Sequence, residues 1–347
     1  MFEKIILSAT LRKKGRDMSK KILFIIDDIE LKYFEFNDLV TNFWFIKEFL
    51  KRDYKVNIAI KSDLFIENAK ACVLSRVSYI KDEDIFYEKN QVKSLINDFD
   101  VVFFRPDPPV DINYINACYV FDYVDREKTL LINDPAEVKN FNEKFHINYF
   151  PEFVPKNMVS SSPELLLNFI KEEQEAILKP LNRCFGSGVY YMHSEDKNLM
   201  TIITNMTENG KTPVMVQKYL PSAKYGDKRV LIIGETVLEE CIQKLPADNN
   251  FKFAIHNDKF FQDAKLSENE KIMAQAIASK LSKKGLYLVG LDVIDEKAIE
   301  INVTSPCYFI REINQHYGIH FEDKIMSCLE EMINKHFSKE RSYAINK

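Results

Sequence analysis

The chain reads as an α/β protein whose N-terminal part is a doubly wound parallel sheet. Short apolar strands alternate with an amphipathic helical stretch between residues 21 and 104, the pattern of βαβ units. A proline-fixed loop, 105–111 (RPDPPVD), follows the strand at 100–104, at the carboxyl edge where such sheets bind ligands. Near the other end of the chain, two apolar strands joined by a tight turn deliver Asp292, then Glu300 and Asn302, to one end of a sheet.

Residues 1–17 have no clear amphipathic period, and Met18 leads into KKILFIID. Met18 is therefore the expected native start, with 1–17 a disordered extension. Strand 21–26 ends at Asp27 and Asp28, a helix is expected near 41–52, and strands follow at 55–60 and 100–104. No GxGxxG follows the first strand, so a dinucleotide fingerprint is absent. Arg105 can grip a carboxylate in the proline loop, or the loop is only a rigid surface connection. A strand at 130–132 ends in an Asn-Asp-Pro turn; the helix after it is expected to include Lys144, preceded by Asn142 and Glu143.

A short strand in FVPKNMVS precedes a helix in SPELLLNFIKEEQ, which has a serine cap and a first-turn proline. The strand EAILKPL carries Lys179 into a turn with Gly186, Ser187 and Gly188, and another strand follows. Such a loop can fold backbone N–H groups over phosphates, although the same residues also make an ordinary hairpin. Strand 214–219 reaches Tyr219 and Leu220 before turning at Pro221, a hinge that offers backbone groups to an adenine edge. GDKRVLII then sets Asp227 and Arg229 on one face, with Arg229 placed to neutralise phosphate or carboxylate charge. Glu300 and Asn302 alternate with Ile299, Ile301 and Val303, so the apolar side chains are expected on the opposite face. Two carboxylates and an amide oxygen form a hard set that suits Mg²⁺ better than zinc; solvated turn residues would show the same alternation.

A length of 347 residues allows two or three domains, and a net charge of −4 without a basic, aromatic-rich block argues against nucleic acid. Six scattered cysteines without a CxxC pair read as reduced cytosolic thiols. No apolar run is long enough to span a bilayer, and no signal peptide is evident.

The blocks FFRPDPPVDINYI, NEKFHINYF, ILKPLNRCFGSGVYY, QKYLPSAKYGDKRVL and VGLDVIDEKAIEINVTSP…IREI, in this order, resemble prokaryotic glutathione synthetase of the ATP-grasp superfamily, over about 18–335. The resemblance implies an α/β and α+β protein: an ATP-grasp fold preceded by a Rossmann-like (pre-ATP-grasp) parallel-sheet domain. Its units would be 18–140, a central ATP-grasp subdomain at 141–213, a C-terminal one with the metal site at 214–335, and a tail at 336–347. It implies a cytoplasmic, homo-oligomeric ligase that uses ATP with Mg²⁺ (or Mn²⁺) and joins γ-glutamylcysteine, or a similar acid, to glycine, or a similar amine.

By position, Lys144 and Lys179 match groups that hold ATP, beside Gly186, Ser187 and Gly188 of the glycine loop. Gln217, Tyr219 and Leu220 match the adenine hinge. Asp227 and Arg229 match GDKR, and Asp292, Glu300 and Asn302 match the metal ligands. Arg229, Lys252 and Arg311 fall on positions acting at the reacting and substrate-carboxylate groups. The departures are local. Arg183 and Phe185 replace two loop glycines; Lys244 and Lys252 stand where two arginines are expected, Ala254 replaces an asparagine, and Asp258-Lys259 replaces a double glycine. TSPCYF also carries one residue more than the family pattern. Lysine keeps the charge but loses the bidentate fork, so nucleotide binding with slow glutathione formation is the expectation. Three readings follow: a glutathione synthetase with a divergent lid, a ligase of the same chemistry for another acid and amine, or a nucleotide-binding protein without catalysis.

Overall fold

The computed structural model describes residues 20–184, 186–246 and 261–345, with side chains as far as Ser338. Segment 1–17, Phe185, Lys252, Ala254, Asp258 and Lys259 lie outside the described residues. The first sheet contains β1 (Lys21–Ile26), β2 (Lys55–Ile60), β3 (Leu64–Glu67), β4 (Lys70–Lys81), β5 (Asp84–Tyr87), β6 (Val92–Leu95), β7 (Val101–Phe104) and β8 (Leu130–Ile132). Strands β2, β1, β7 and β8 run parallel in that order, as the apolar β–α–β alternation predicts. Strand β4 adds antiparallel to β2 and carries β5 and β6. These hairpin strands were not anticipated, because polar residues interrupt their apolar pattern and several of their side chains are exposed. The helices α1 (Asp28–Lys32), α2 (Thr41–Lys51), α3 (Ile112–Val120) and α4 (Pro135–Lys139) belong to this part of the chain.

Lys144 does not lie in the helix after β8. That helix, α4, ends at Lys139; the Asn142 side chain then accepts from the N–H groups of Lys144 (3.1 Å) and Phe145 (2.9 Å). This local side-chain acceptor competes with helix propagation and makes a turn, so Lys144 precedes a 3₁₀ segment at Phe145–Tyr149.

The second sheet is antiparallel, in the order β11 (Tyr190–His193), β10 (Glu175–Pro180), β12 (Val214–Lys218), β9 (Asn157–Ser160). Helix α5 (Pro163–Glu173) starts as expected, with Ser162 accepting from the Leu165 N–H. Together with α6 (Leu199–Met206) it buries Ala176, Leu178, Val214 and Val216. By the two-residue strand period, Ile177, Lys179 and Gln217 point out of that core.

The third sheet comprises β13 (Asp227–Ile233), β14 (Thr236–Val237), β15 (Cys241–Lys244), β16 (Phe261–Ala264), β17 (Leu288–Ile294) and β18 (Lys297–Asn302), all antiparallel. Helices α7 (Glu268–Ser282), α8 (Ile310–Tyr317) and α9 (Phe321–Ile345) follow in sequence around it. Residues 336–345, read as a tail, continue α9. Phe43, Phe45 and Phe49 of α2 share one core with Leu231 and Ile233 of β13 and with Phe321, Ile325 and Leu329 of α9. The first and third sheets are thus cemented by apolar burial.

One polar residue joins them as well. Asn133, 2% exposed, donates to the carbonyls of Leu288 (2.8 Å) and Val303 (2.7 Å) and accepts from the N–H groups of Tyr287 (2.6 Å) and Leu288 (2.7 Å). Leaving several buried backbone groups unpaired costs about 1–3 kcal/mol each. Asn133→Ala is expected to lower unfolding free energy by roughly 3 kcal/mol or more in urea titration; a loss below about 1 kcal/mol contradicts the role of this residue.

Candidate active site

A cavity of about 260 Å³ opens between the second and third sheets. From the second sheet come Lys179 on β10 and Gln217 on β12, both buried. Lys179 Nζ donates to Gln217 Oε1 at 2.8 Å, and burial pushes the lysine down to about 8. Gln217 Nε2 is buried without a hydrogen-bond partner among the described residues, an orphaned donor facing a site that needs one filled. Tyr219 and Leu220 continue along the wall, and Gly186 and Ser187 cover it from the loop after β10. Gly188 has positive φ and does not line the cavity.

The third sheet supplies the charged wall. Asp292 on β17 pairs directly with Glu300 on β18, and Asn302 lies two residues further along that strand. The ladder shifts register between Asp292 and Val293, where Ile299 has no partner. This bulge corrects the expected alternation: Ile299 lines the cavity with Glu300, while Ala298 and Ile301 stay in the core.

Asp292 is the electrostatic centre. Arg229 grips it with two bonds, Nε to Oδ1 at 2.8 Å and Nη2 to Oδ2 at 3.2 Å. Lys244 Nζ adds a third at 2.9 Å, and Asn302 Nδ2 a fourth at 3.1 Å. Burial alone would raise the Asp292 carboxyl, but Arg229 and Lys244 overcome it and hold it well below the usual range. Burial pushes Asp227 up to about 7 against the pull of Lys244, whose Nζ is 2.7 Å away, with the Asp292 carboxylate adding to the rise. Gly226 makes this packing possible: at φ +93°, a Cβ there would stand 1.8 Å from the Lys244 carbonyl oxygen.

Lys144 Nζ donates to Glu300 Oε1 and to the Arg183 carbonyl, both at 2.8 Å. Burial lowers this lysine, but Glu300 more than compensates and raises it overall. Glu143 turns away and accepts from the N–H groups of Val303 (2.7 Å) and Thr304 (2.9 Å), tying the 142–144 turn to the strand that carries the metal candidates.

The site thus gathers Lys144, Lys179, Gly186, Ser187, Gln217, Tyr219, Leu220, Asp227, Arg229, Asp292, Glu300 and Asn302 on one cavity. Arg311 does not line it; its guanidinium meets Glu312 at 2.8 Å and Asp38 at 3.8 Å. Arg105 is not poised for a free carboxylate: it is buried and donates to Asn42 Oδ1 (2.5 Å) and the Pro306 carbonyl (2.9 Å). Lys252 lies outside the described residues. Among the cavity residues that escaped the sequence reading are Lys244, visible only as a replaced arginine, Arg183, visible only as a replaced glycine, Glu143, masked by its lysine neighbour, and Ile299, moved by the bulge.

Among the described residues, no three His, Cys, Asp or Glu side chains gather to hold a metal. Asp292, Glu300 and the Asn302 amide oxygen still fit a hard cation, because such sites complete their shell with water and nucleotide phosphate oxygens. The cations now on both carboxylates are the kind of partner that phosphates would draw away.

Residues 21–139 match the N-terminal domain of prokaryotic glutathione synthetase, and residues 143–318 match its ATP-grasp domain. The chain belongs to the prokaryotic glutathione synthetase family. The glutathione synthetase of Vibrio parahaemolyticus is 32% identical over 295 residues, 84% of this chain and 93% of that one. That of Synechococcus elongatus is 35% identical over 240 residues, 69% of this chain and 74% of that one. In fold, the chain is similar to D-cycloserine synthetase (TM-score 0.60, 14% identity, 90% of this chain and 99% of the other). It is likewise similar to D-alanyl-alanine synthetase A of Vibrio cholerae (TM-score 0.56, 11% identity, 92% and 100%). As a member of the glutathione synthetase family, the chain is an ATP-dependent ligase that forms carbon–nitrogen bonds. Among the described residues, no helix is long and apolar enough to cross a membrane.

Lys179 carries a pH signature. Only its protonated form pairs with phosphate, and its value of about 8 means that it loses its proton above that pH in the free protein. ADP affinity measured by calorimetry is expected to weaken as pH rises from 7 to 9.5. In Lys179→Gln the affinity is expected to be lower and nearly flat over that range. An equally steep profile in the variant would assign the titration to another group.

Proposed function

We propose that this chain joins γ-glutamylcysteine to glycine with ATP, using Mg²⁺ or Mn²⁺, in the cytoplasm and as a homo-oligomer. The observation that supports the reading best is the convergence of Lys144, Lys179 and Arg229 with Asp292, Glu300 and Asn302 on a single cavity. Six free cysteines agree with a reducing compartment.

In this reading the adenine lies along Gln217–Leu220, where the Gln217 amide donor awaits a partner. Lys179 and Lys144 hold phosphate oxygens, and Gly186 and Ser187 cover the phosphates from the loop after β10, with the Ser187 N–H donating to the Cys184 carbonyl at 3.1 Å. Asp292, Glu300 and Asn302 would hold the metal, which when bound neutralises phosphate charge. A carboxylate oxygen of the acid attacks the γ-phosphorus, the bond to the β-phosphate oxygen breaks, and ADP leaves. The amine nitrogen then attacks the acyl carbon, phosphate departs with the former carboxylate oxygen, and the nitrogen loses a proton. Arg229 keeps Asp292 ionised and oriented throughout. By sequence position alone, Arg311, which stands outside the cavity on Glu312, is assigned to the substrate carboxylate and Lys252 to the charge that builds during transfer. The departures from the family pattern in the sequence of 246–264 favour a second reading, a different acid and amine, which a panel of amines in an ADP-release assay separates from the first.

Glu300→Gln is nearly isosteric and removes one anionic ligand. It is expected to raise the Mg²⁺ concentration for half-maximal ADP release by roughly 10- to 100-fold, with the melting temperature little changed. An unaltered Mg²⁺ dependence would remove Glu300 from the metal site.

A further inference from the structure

The glycine loop carries an arginine with no anion. Arg52, Arg76, Arg126, Arg229 and Arg311 each bond a carboxylate, and Arg105 bonds an amide and a carbonyl. Among the described residues, the guanidinium of Arg183 has no hydrogen-bond or ion-pair partner. The residue is exposed, and its backbone is held while its side chain lies over the loop. The Arg183 carbonyl accepts from Lys144 Nζ at 2.8 Å, and a Cβ built on Gly188 would lie 3.3 Å from Arg183 Nη1. The side chain therefore reaches from the entry of the loop to its exit.

Arg183 also stands where two cavities meet. A second cavity of about 160 Å³ adjoins the first, and the residues common to both are Pro108, Glu143, Lys144, Arg183 and Thr304. Of these, Lys144 and Arg183 are the cations, and Arg183 is the guanidinium. In the ligase reading the nucleotide takes the first cavity and the acid the second, so the transferred phosphoryl group, with charge on its three equatorial oxygens, passes this junction. A guanidinium offers two parallel donors to that charge, which a lysine does not.

We infer that Arg183 is a catalytic residue that grips the γ-phosphoryl oxygens during transfer, supplying from the glycine loop the bidentate cation that is lost from the sequence where Lys252 replaces an arginine. The inference rests on the ligase reading above. It predicts faster turnover than the loss of the arginine fork at Lys252 alone implies.

The test compares the wild type with Arg183→Gln and Arg183→Lys, in ADP release with γ-glutamylcysteine and glycine and in direct binding of ADP and a non-hydrolysable ATP analogue with Mg²⁺. Arg183→Gln is expected to lower kcat by roughly 100-fold. ADP should bind that variant as it binds the wild type, while the ATP analogue loses affinity, and added guanidinium ion should restore part of the rate. Arg183→Lys should fall between the two. Activity of Arg183→Gln within threefold of wild type, or equal loss of affinity for ADP and the ATP analogue, overturns the inference. If the wild type releases no ADP with any acid and amine, the ligase reading fails; selective loss of the ATP analogue in Arg183→Gln would still uphold the γ-phosphate contact.

Discussion

The buried carboxylate of Asp292 is the constraint around which the molecule is arranged. An isolated charge in that position would be expelled or neutralised, since the desolvation cost is several kcal/mol. It survives because Arg229, Lys244 and Asn302 reach it from β13, β15 and β18. Those three strands must therefore keep their register with β17, and the glycine before Asp227 is required for β15 to come close enough. The same contacts keep a full negative charge available at the one place where a hard cation and phosphates need it.

A second set of polar stitches holds the N-terminal sheet to this centre. Asn133 binds the backbone at the start of β17 and after β18, Glu143 caps the Val303–Thr304 backbone, and Arg105 holds the Pro306 carbonyl. All three bond backbone groups, although Arg105 also donates to Asn42 and keeps a buried Nη1 without a partner among the described residues. Each contact falls on or near the segment that follows Asn302, so the carboxyl edge of the parallel sheet and the metal candidates behave as one rigid frame. The second sheet, by contrast, has its own core and contributes its outward face, with Lys179 and Gln217, to the other side of the cavity.

Much of this was legible in the sequence where local chemistry decides. The parallel strands were marked by apolar runs, the start of α5 by Ser162 and Pro163, and the charged face of β13 by the spacing of Asp227 and Arg229. What escaped was decided by partners distant in the chain. Asn133 read as a turn residue, and its four bonds go to residues more than 150 positions away. Ile299 obeyed the strand period on paper, but a bulge set by pairing with β17 moved it. Lys144 was drawn into a helix because the Asn142 side chain was not recognised as a competing acceptor. Arg105 is a surface candidate by sequence and a buried tie in the structure.

The account claims that Lys144 occupies Glu300 until nucleotide phosphates draw it away, while Arg229 stays on Asp292. Binding of Mn²⁺ followed by electron paramagnetic resonance, with and without ADP, tests this most directly. The account predicts weak Mn²⁺ binding to the protein alone and at least about tenfold tighter binding once ADP is present, because only then does Lys144 turn from Glu300 to phosphate and phosphate oxygens complete the metal shell. Equally tight Mn²⁺ binding without nucleotide, or no binding with it, would contradict the account.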